Sequence, residues 1–205
     1  MYKRTNTIYK KIRKRLKGLN DFAGRTSGFK FKRISYSRPS TTAALKKFST
    51  REIRVIEIGC AAGNNSLDIL KNLNVKELVI IDPYEYLLND YDDYTKSRLQ
   101  LMRKQAEAKL SSYKDKITWI NKLSADALSD LTGKYDFIYV DGDHSYEFAY
   151  QDMRNYLPFL ADDYVFGGHD VMQKGVSKAI CQIIKEENLN EVLFRDPDWI
   201  IESGE

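Results

Sequence analysis

Short apolar runs alternate with segments of helical periodicity from residue 54 to the end of the chain. The apolar runs predict seven strands: Arg54–Ile58, Glu77–Ile81, Ile117–Ile120, Phe137–Val140, Tyr164–Phe166, Val192–Phe194 and Trp199–Ile201. Between them, helical spacing predicts five helices: Asn65–Leu73, Ser97–Ser112, Ala125–Leu131, Tyr146–Leu157 and Val176–Glu187. Strands that alternate with helices indicate an α/β fold with a parallel sheet covered on both faces. Such sheets bind ligands at the carboxyl ends of their strands, so polar residues after each run are candidate site residues.

Residues 1–50 differ in charge from the rest of the chain. They contain fifteen Lys and Arg residues and one acid, whereas residues 51–205 contain 18 basic and 28 acidic residues. Apolar side chains at helical spacing indicate a basic amphipathic helix: Ile8, Ile12, Leu16 and Leu19. The stretch from Gly24 to Thr42 is rich in Ser, Thr and Gly and predicts a loop. We therefore expect a basic N-terminal arm at 1–50 and a folded domain at 51–205.

The basic arm has several interpretations. Its apolar stripe could dock on the domain and leave the charges in solvent. Alternatively, it could bind anionic lipid, nucleic acid or an acidic substrate. An organelle transit peptide is a further alternative, because the segment is rich in arginine and poor in acids.

The composition excludes several classes of protein. Two cysteines, Cys60 and Cys181, are too few for a disulfide framework or a cysteine-based zinc site. With two histidines in the chain, a bound metal would depend mainly on oxygen ligands. No apolar run reaches the roughly 18 residues of a membrane span, and the N-terminus lacks the apolar segment of a secretory signal. We therefore expect a cytoplasmic protein without a membrane span.

A glycine-containing turn follows the first predicted strand. It runs Glu57-Ile58-Gly59-Cys60-Ala61-Ala62-Gly63-Asn64-Asn65-Ser66, and its glycines permit a tight turn and close approach of a ligand. The second strand ends at Asp82, which can accept hydrogen bonds from both ribose hydroxyls of a nucleoside. The alternatives are a structural turn with a polar cap at Asn64, Asn65 or Ser66, and a helix cap at Asp82. The spacing E-x-G-x-x-x-G lacks the central glycine of G-x-G-x-x-G, which counts against NAD and FAD.

The turn and the acid together resemble the class I methyltransferases that use S-adenosylmethionine. The resemblance implies a Rossmann-like, doubly wound α/β fold with a seven-stranded, mostly parallel sheet. It also implies that Gly59 and Gly63 line the methionine moiety and that Asp82 holds the ribose. Ser124-Ala125-Asp126 is similar to the family's adenine-side motif, although a helix cap explains these residues equally well. The residues that the resemblance assigns to the cofactor are Glu57, Gly59, Cys60, Ala61, Gly63, Asn65, Ser66, Asp82, Ala125, Asp126 and Asp141.

Both histidines follow predicted strands and stand beside aspartates. The fourth strand leads into Asp141-Gly142-Asp143-His144-Ser145-Tyr146-Glu147, and the fifth into Gly167-Gly168-His169-Asp170. Because neighbouring parallel strands end at one edge of a sheet, Asp141, His169 and Asp170 could converge on one divalent ion. Two simpler explanations remain, since Asp143 and Ser145 could cap the next helix and a His–Asp pair is often a structural hydrogen bond.

The strings Y-D-F-I-Y-V-D-G-D-H-S-Y-E and G-G-H-D resemble one branch of the class I methyltransferases, over residues 52–205. This branch includes the macrocin-type sugar O-methyltransferases and the cephalosporin hydroxylase and rhamnosyl O-methyltransferase group. The resemblance implies that Asp141, His169 and Asp170 bind Mg2+ or Mn2+, with His144 as general base and Asp141 also in a catalytic role. The sequence departs from the branch at Ala61, where relatives have glycine, and at His169, where relatives often have an acid.

These features predict a metal-dependent O-methyltransferase that acts on a sugar or glycan, such as rhamnose or another deoxysugar. A catechol acceptor is a variant of this prediction, because vicinal hydroxyls chelate the same ion. A nucleic-acid methyltransferase that uses the basic arm is less well supported, since no N-P-P-Y or D-P-P-Y motif follows the fourth strand. A hydroxylase-like activity and a non-enzymatic adaptor are further alternatives. Relatives often self-associate, so we expect that this chain could form a homo-oligomer.

Overall fold

The computed structural model describes residues 37–84, 92–189 and 191–204. In chain order, its helices and strands are α1 Pro39–Lys47, β1 Ile53–Ile58, α2 Asn64–Asn72, β2 Val75–Ile81, α3 Asp93–Leu110, β3 Ile117–Ile120, β4 Tyr135–Val140, α4 Tyr146–Tyr156, β5 Leu160–Gly168, α5 Lys174–Glu186, β6 Leu193–Arg195 and β7 Asp198–Glu202. Short 3-10 helices span Ser111–Lys116, Ala127–Asp130 and Leu157–Phe159. The predicted amphipathic helix at residues 8–19 lies outside the described residues. Within the part of the chain that is described, no helix is long and apolar enough to cross a membrane.

The strands form one seven-stranded sheet in the order β3-β2-β1-β4-β5-β7-β6. Strands β1 to β5 run parallel to one another, and β7 lies antiparallel between β5 and β6. This topology confirms the predicted Rossmann-like, mostly parallel α/β fold. The strand order reverses between β1 and β4, and such a switch point is where open α/β sheets bind ligands. Ile58 pairs with Ile81 and Val140, and Val140 pairs with Gly168, so the residues after these strands share one edge.

Helices cover both faces of the sheet, as the continuous apolar strands require. Alternate side chains of β4 belong to different cores because successive residues of a strand point to opposite faces. Phe137 and Tyr139 pack in the core that includes residues of α1, α2 and α3. Ile138 and Val140 pack in the core that includes residues of α4 and α5. This arrangement fixes the register of β4 and therefore the position of the residues that follow it.

The described residues before β1, from Ser37 onward, belong to the folded domain. The compact unit that contains the sheet begins at Ser37, so the later part of the predicted arm lies within it. The predicted loop at Gly24–Thr42 overlaps α1, which begins at Pro39 and packs against β5 and β7. Proline is favoured in the first turn of a helix because its φ angle is already helical and the N–H groups there make no hydrogen bond within the helix. The buried face of α1 consists of small and polar residues, including Ser40 and Thr41, so it shows little apolar periodicity.

Two other predicted helices have different boundaries in the structure. The helix expected over Ala125–Leu131 is reduced to the 3-10 helix Ala127–Asp130. The helix α3 begins at Asp93, before the predicted start at Ser97, because the side chain of Asp92 caps it by accepting a hydrogen bond from Thr95 N at 2.8 Å. Neither difference moves a strand.

Candidate active site

The turn after β1 lies in direct contact with the end of β4. Gly59 has a φ of +83° and Gly63 a φ of +71°, a left-handed conformation that glycine adopts readily. A Cβ atom on Gly59 would lie 2.1 Å from the backbone oxygen of Asp141, so no other residue fits without displacing the backbone. Ala61 also has a positive φ of 49°, a conformation that is uncommon for residues other than glycine. The turn therefore depends on glycine at position 59 to lie against the end of β4.

The carboxylate of Asp82 holds this turn in place. Its Oδ2 accepts hydrogen bonds from the backbone N–H groups of Cys60 and Ala61, both at 2.9 Å, and its Oδ1 accepts one from Tyr84 N at 3.2 Å. The hydroxyl of Tyr84 donates to the carbonyl oxygen of Ala61. Burial raises the pKa of Asp82, and the backbone N–H donors act against that rise. Asp82 stands at the end of β2 as the sequence predicted, and it stabilises the turn; its contact with a ribose remains a prediction.

Glu57 is a fully buried acid beneath the turn. Its carboxylate accepts hydrogen bonds from Asn65 Nδ2 at 2.9 Å and from Ser66 Oγ. Burial raises the pKa of Glu57 to about 7. The side chains of Asn65 and Ser66 are therefore directed to Glu57, and α2 has Gly63 as its N-cap residue and no side-chain cap. The Oδ1 atom of Asn65 is buried and has no hydrogen-bond partner among the described residues, which leaves an acceptor for a ligand.

Two aspartates and one histidine meet at the ends of β4 and β5. Asp141, His144 and Asp170 each offer a ligand atom, and these atoms all lie within 4.8 Å of one another. His144 Nε2 is 2.8 Å from Asp170 Oδ2. Burial raises the pKa of Asp141 to about 7, against the lowering effect of the nearby Arg38. Two carboxylates and an imidazole form a donor set that suits a divalent cation.

His169 lies beside this group. Its Nδ1 atom is 2.9 Å from Asp170 Oδ2 and 3.6 Å from Asp141 Oδ1. The same atom is buried and has no well-aligned hydrogen bond to a described residue. The structure thus brings together all four predicted residues, but the group that could hold one ion, Asp141, His144 and Asp170, contains His144, which the sequence predicted as the base. The choice of histidine ligand remains a prediction.

Arg38 is a residue of this site that sequence reasoning missed. Its Nη1 atom donates to the hydroxyl of Tyr139 at 2.9 Å, and its Nη2 atom is 3.5 Å from Asp141 Oδ2. The hydroxyl of Tyr139 in turn donates to Asp198 Oδ1 at 3.0 Å. Arg38 precedes β1, whereas its partners belong to β4 and β7. An arginine within an arginine-rich segment shows no local signal that would have identified it.

The segment after β3 is held by a buried aspartate of α4. Ser124 Oγ donates to Asp152 Oδ1, and the hydroxyl of Tyr156 donates to the carbonyl oxygen of Ser124 at 2.8 Å. Burial raises the pKa of Asp152 to about 6. Asp126 is exposed and its side chain does not cap the following 3-10 helix. The cap interpretation of Asp126 therefore finds no support, and the adenine-side roles of Ala125 and Asp126 remain predictions.

The fold and the glycine-containing turn define a class of enzyme, the class I methyltransferases. The chain belongs to the Methyltransf_24 family, described as a methyltransferase domain, whose model matches residues 56–171. This match covers more than half of the chain and includes the turn, Asp82 and the Asp141 group. No curated protein matches the sequence at a significant level.

Solved structures share the fold at low sequence identity. An O-methyltransferase from Bacillus cereus in complex with SAH has a TM-score of 0.61 at 12% identity, covering 91% of this chain and 97% of that chain. A candidate methyltransferase from Streptococcus mutans in complex with SAH has a TM-score of 0.61 at 12% identity, with coverages of 82% and 99%. A candidate caffeoyl-CoA O-methyltransferase from Staphylococcus aureus has a TM-score of 0.59 at 16% identity, with coverages of 92% and 91%.

The residues present fit both groups that the sequence resemblance implies. For S-adenosylmethionine, the turn provides a glycine-lined approach, the acid Glu57 and the unpaired acceptor Asn65 Oδ1. For a divalent cation, Asp141 and Asp170 provide carboxylate oxygens, and a bound cation would favour the ionised form of the buried Asp141.

Proposed function

We propose that this chain is a metal-dependent O-methyltransferase that transfers the methyl group of S-adenosylmethionine to a hydroxyl of a sugar or glycan. The observation that carries the proposal is the group of Asp141, His144 and Asp170, whose ligand atoms lie within 4.8 Å of one another. This group adjoins the cofactor turn, because Asp141 contacts Gly59. A methyl donor and a metal-bound acceptor would therefore meet at one edge of the sheet.

The acceptor hydroxyl must lose a proton to become a good nucleophile. A divalent cation held by Asp141 and Asp170 would lower the pKa of that hydroxyl and orient its oxygen. His144 takes the proton on Nδ1, while its Nε2–H donates to Asp170 through the 2.8 Å contact and so orients the imidazole. The side chain of His144 is 47% exposed, so an acceptor can approach it from solvent.

Bound S-adenosylmethionine supplies an electrophilic methyl group on its sulfonium. The acceptor oxygen forms a bond to the methyl carbon while the carbon–sulfur bond breaks, and the electron pair of that bond stays on sulfur. The products are the methyl ether, S-adenosylhomocysteine and a proton on His144. The residues of the turn would hold the methyl donor, and alignment of two bound reactants supplies much of the rate acceleration in such reactions.

Exposed apolar side chains near the site residues in sequence support an acceptor with a ring. Phe148 and Met172 are 56% and 71% exposed, and they follow His144 and Asp170 closely in the chain. Aromatic side chains stack on the apolar faces of sugars and of catechol rings. A catechol-type acceptor is the second candidate, supported by the similarity to the Staphylococcus aureus protein described as a candidate caffeoyl-CoA O-methyltransferase.

Methyl transfer from labelled S-adenosylmethionine to a panel of acceptors tests this proposal. The panel consists of rhamnosyl and other deoxysugar glycosides, a catechol and a short RNA, each with Mg2+, with Mn2+ and with a chelator. We expect label on a sugar, and loss of that label with the chelator. Label that appears on catechol alone would favour the second candidate, and label on RNA that survives chelation would overturn the proposal.

A pair of neighbouring variants provides a matched control. Asp141→Asn removes a carboxylate from the proposed metal group, whereas Asp143→Asn alters an exposed residue whose Oδ1 accepts a hydrogen bond from Ser145 N at 2.7 Å. Asparagine retains an acceptor oxygen, so the local turn survives in the Asp143 variant. We expect loss of activity and of Mn2+ binding in the Asp141 variant alone. Equal behaviour of the two variants would contradict the metal assignment.

A further inference from the structure

Hydrogen bonds hold the backbone on both sides of Arg38. Ser37 Oγ and Arg38 N donate to the carboxylate of Asp68 on α2, at 3.0 and 3.1 Å. Ser40 N donates to Asp198 Oδ2 at the start of β7, at 3.0 Å. The segment therefore connects α2, the helix that follows the cofactor turn, with the end of the sheet that bears Asp141. This placement directs a single arginine into the site.

Several N–H groups of the Arg38 guanidinium form no hydrogen bond to a described residue. An arginine side chain offers five N–H groups in a planar fork that matches a carboxylate. Among the described residues it makes one side-chain hydrogen bond, to Tyr139. Its nearest atoms to Asp141 and Asp198 are 3.5 and 3.8 Å away, which are ion-pair distances rather than short hydrogen bonds. The side chain is 27% exposed, so a ligand can reach it.

The acids around the turn would repel the carboxylate of the cofactor, so binding of that carboxylate requires a nearby cation. Glu57, Asp82 and Asp141 are suited to the positive ammonium and sulfonium groups of S-adenosylmethionine, but they repel its carboxylate. Other cations near the turn are engaged elsewhere: Lys109 donates to the carbonyl oxygen of Ala62 and to Asn64, and Arg103 pairs with Glu107. Burial raises the pKa of Glu57, and the positive charge of the nearby Arg38 acts against that rise.

We propose that Arg38 binds the carboxylate of the cofactor's methionine moiety, and so selects donors that retain this carboxylate. Glu57 and Asn65 Oδ1 would accept hydrogen bonds from the α-ammonium group of the same moiety. This inference rests on the proposed use of S-adenosylmethionine. The competing explanation is structural: Arg38 would only neutralise Asp141 and Asp198 and hold α1 against the sheet.

Three ligands that differ in the amino-acid moiety separate the two explanations. S-adenosylhomocysteine has both charged groups, its decarboxylated analogue lacks the carboxylate, and 5′-methylthioadenosine lacks the whole moiety. Calorimetry with Arg38→Met should show affinity for S-adenosylhomocysteine reduced about 10- to 100-fold, since a charged hydrogen bond is lost. Affinity for the other two ligands should change less than about threefold. A purely structural role would reduce all three affinities together and would overturn the inference.

Two further variants complete the experiment. Arg38→Lys keeps the charge without the planar fork, and we expect partial recovery of the preference for the carboxylate. Arg51→Gln is the matched control, because Arg51 forms its ion pairs with Asp136 and Asp163 and should leave all three affinities unchanged. If the wild-type protein binds none of the three ligands, the proposed function fails. If it binds them and Arg38→Met keeps the preference, only this inference fails.

Discussion

His144 and Asp170 follow different strands, yet His144 Nε2 lies 2.8 Å from Asp170 Oδ2. A carboxylate in this position fixes the orientation of an imidazole. The same nitrogen is also within reach of a cation shared by Asp141 and Asp170. The base role and the ligand role of His144 therefore make different predictions, which can be measured.

Replacement of His144 by Gln should abolish proton transfer without loss of the metal. We expect kcat to fall about 100- to 10,000-fold, the usual contribution of general base catalysis. The affinities for Mn2+ and for S-adenosylhomocysteine should stay within about threefold of wild type, as measured by calorimetry. The matched variant His169→Gln should instead weaken Mn2+ binding, because the sequence assigns His169 to the metal. A weaker Mn2+ affinity in the His144 variant alone would reverse the two roles.

Gly59→Ala should eliminate cofactor binding. The new Cβ would lie 2.1 Å from the Asp141 backbone oxygen, and alanine is also strained at a φ of +83°. Either the turn or the end of β4 must move, and both belong to the site. We expect loss of S-adenosylhomocysteine binding and a lowered Tm. Gly204→Ala is the control, because nothing lies within 4 Å of its added Cβ; retention of cofactor affinity in the Gly59 variant would refute the described contact.

Asp82→Ala should destabilise the protein even without cofactor. The substitution removes the acceptor for Cys60 N, Ala61 N and Tyr84 N. A buried donor left without a partner costs about 1–3 kcal/mol, although water can reach part of this turn. Chemical denaturation should therefore show a free energy of unfolding lowered by about 1–3 kcal/mol. A variant with unchanged stability but weaker nucleoside binding would assign Asp82 to the ribose alone.

The sequence predicted the edge of the sheet at which the site lies, but not all of its members. Gly59, Asp82 and Asp141 were predictable because each directly follows an apolar run, and parallel strands end at a common edge. Tyr139 and Asp198 were not, because they lie within or at the start of strands and meet only through the order of β4, β5 and β7. Arg38 could not be distinguished from the other basic residues among the fifteen in residues 1–50.

The relative positions of the two histidines also depended on local backbone geometry that a sequence does not show. Asp170 has a positive φ of 58°, an uncommon conformation that changes the direction of the chain directly after His169. That turn places the Asp170 carboxylate between His144 Nε2 and His169 Nδ1, at 2.8 and 2.9 Å. Strand order was enough to predict that the two aspartates and the two histidines lie close together. The contacts of Asp170 with both histidines depend on its backbone conformation, which the sequence does not show.

Glu57 makes the stability of the protein depend on pH. Burial raises its pKa from 4.5 to about 7, so the folded state favours the protonated acid. The stability that this group contributes is complete below pH 4.5 and is lost as the pH rises through 7. Glu57→Gln removes this dependence. Relative to wild type, it should raise the free energy of unfolding by about 1–3 kcal/mol at pH 8 and have little relative effect near pH 4.5.

Denaturation of the wild type and the Glu57→Gln variant at several pH values measures this difference directly. The difference between the two proteins isolates Glu57 from the other acids whose pKa values burial raises, which are Asp82, Asp141, Asp152 and Asp198. The same variant should bind S-adenosylhomocysteine more weakly, because the neutral amide cannot attract the α-ammonium group. A gain in stability together with a loss of affinity would mean that the charge of Glu57 serves cofactor binding and lowers the stability of the folded protein. A pH-independent difference would instead show that Glu57 is not the titrating group.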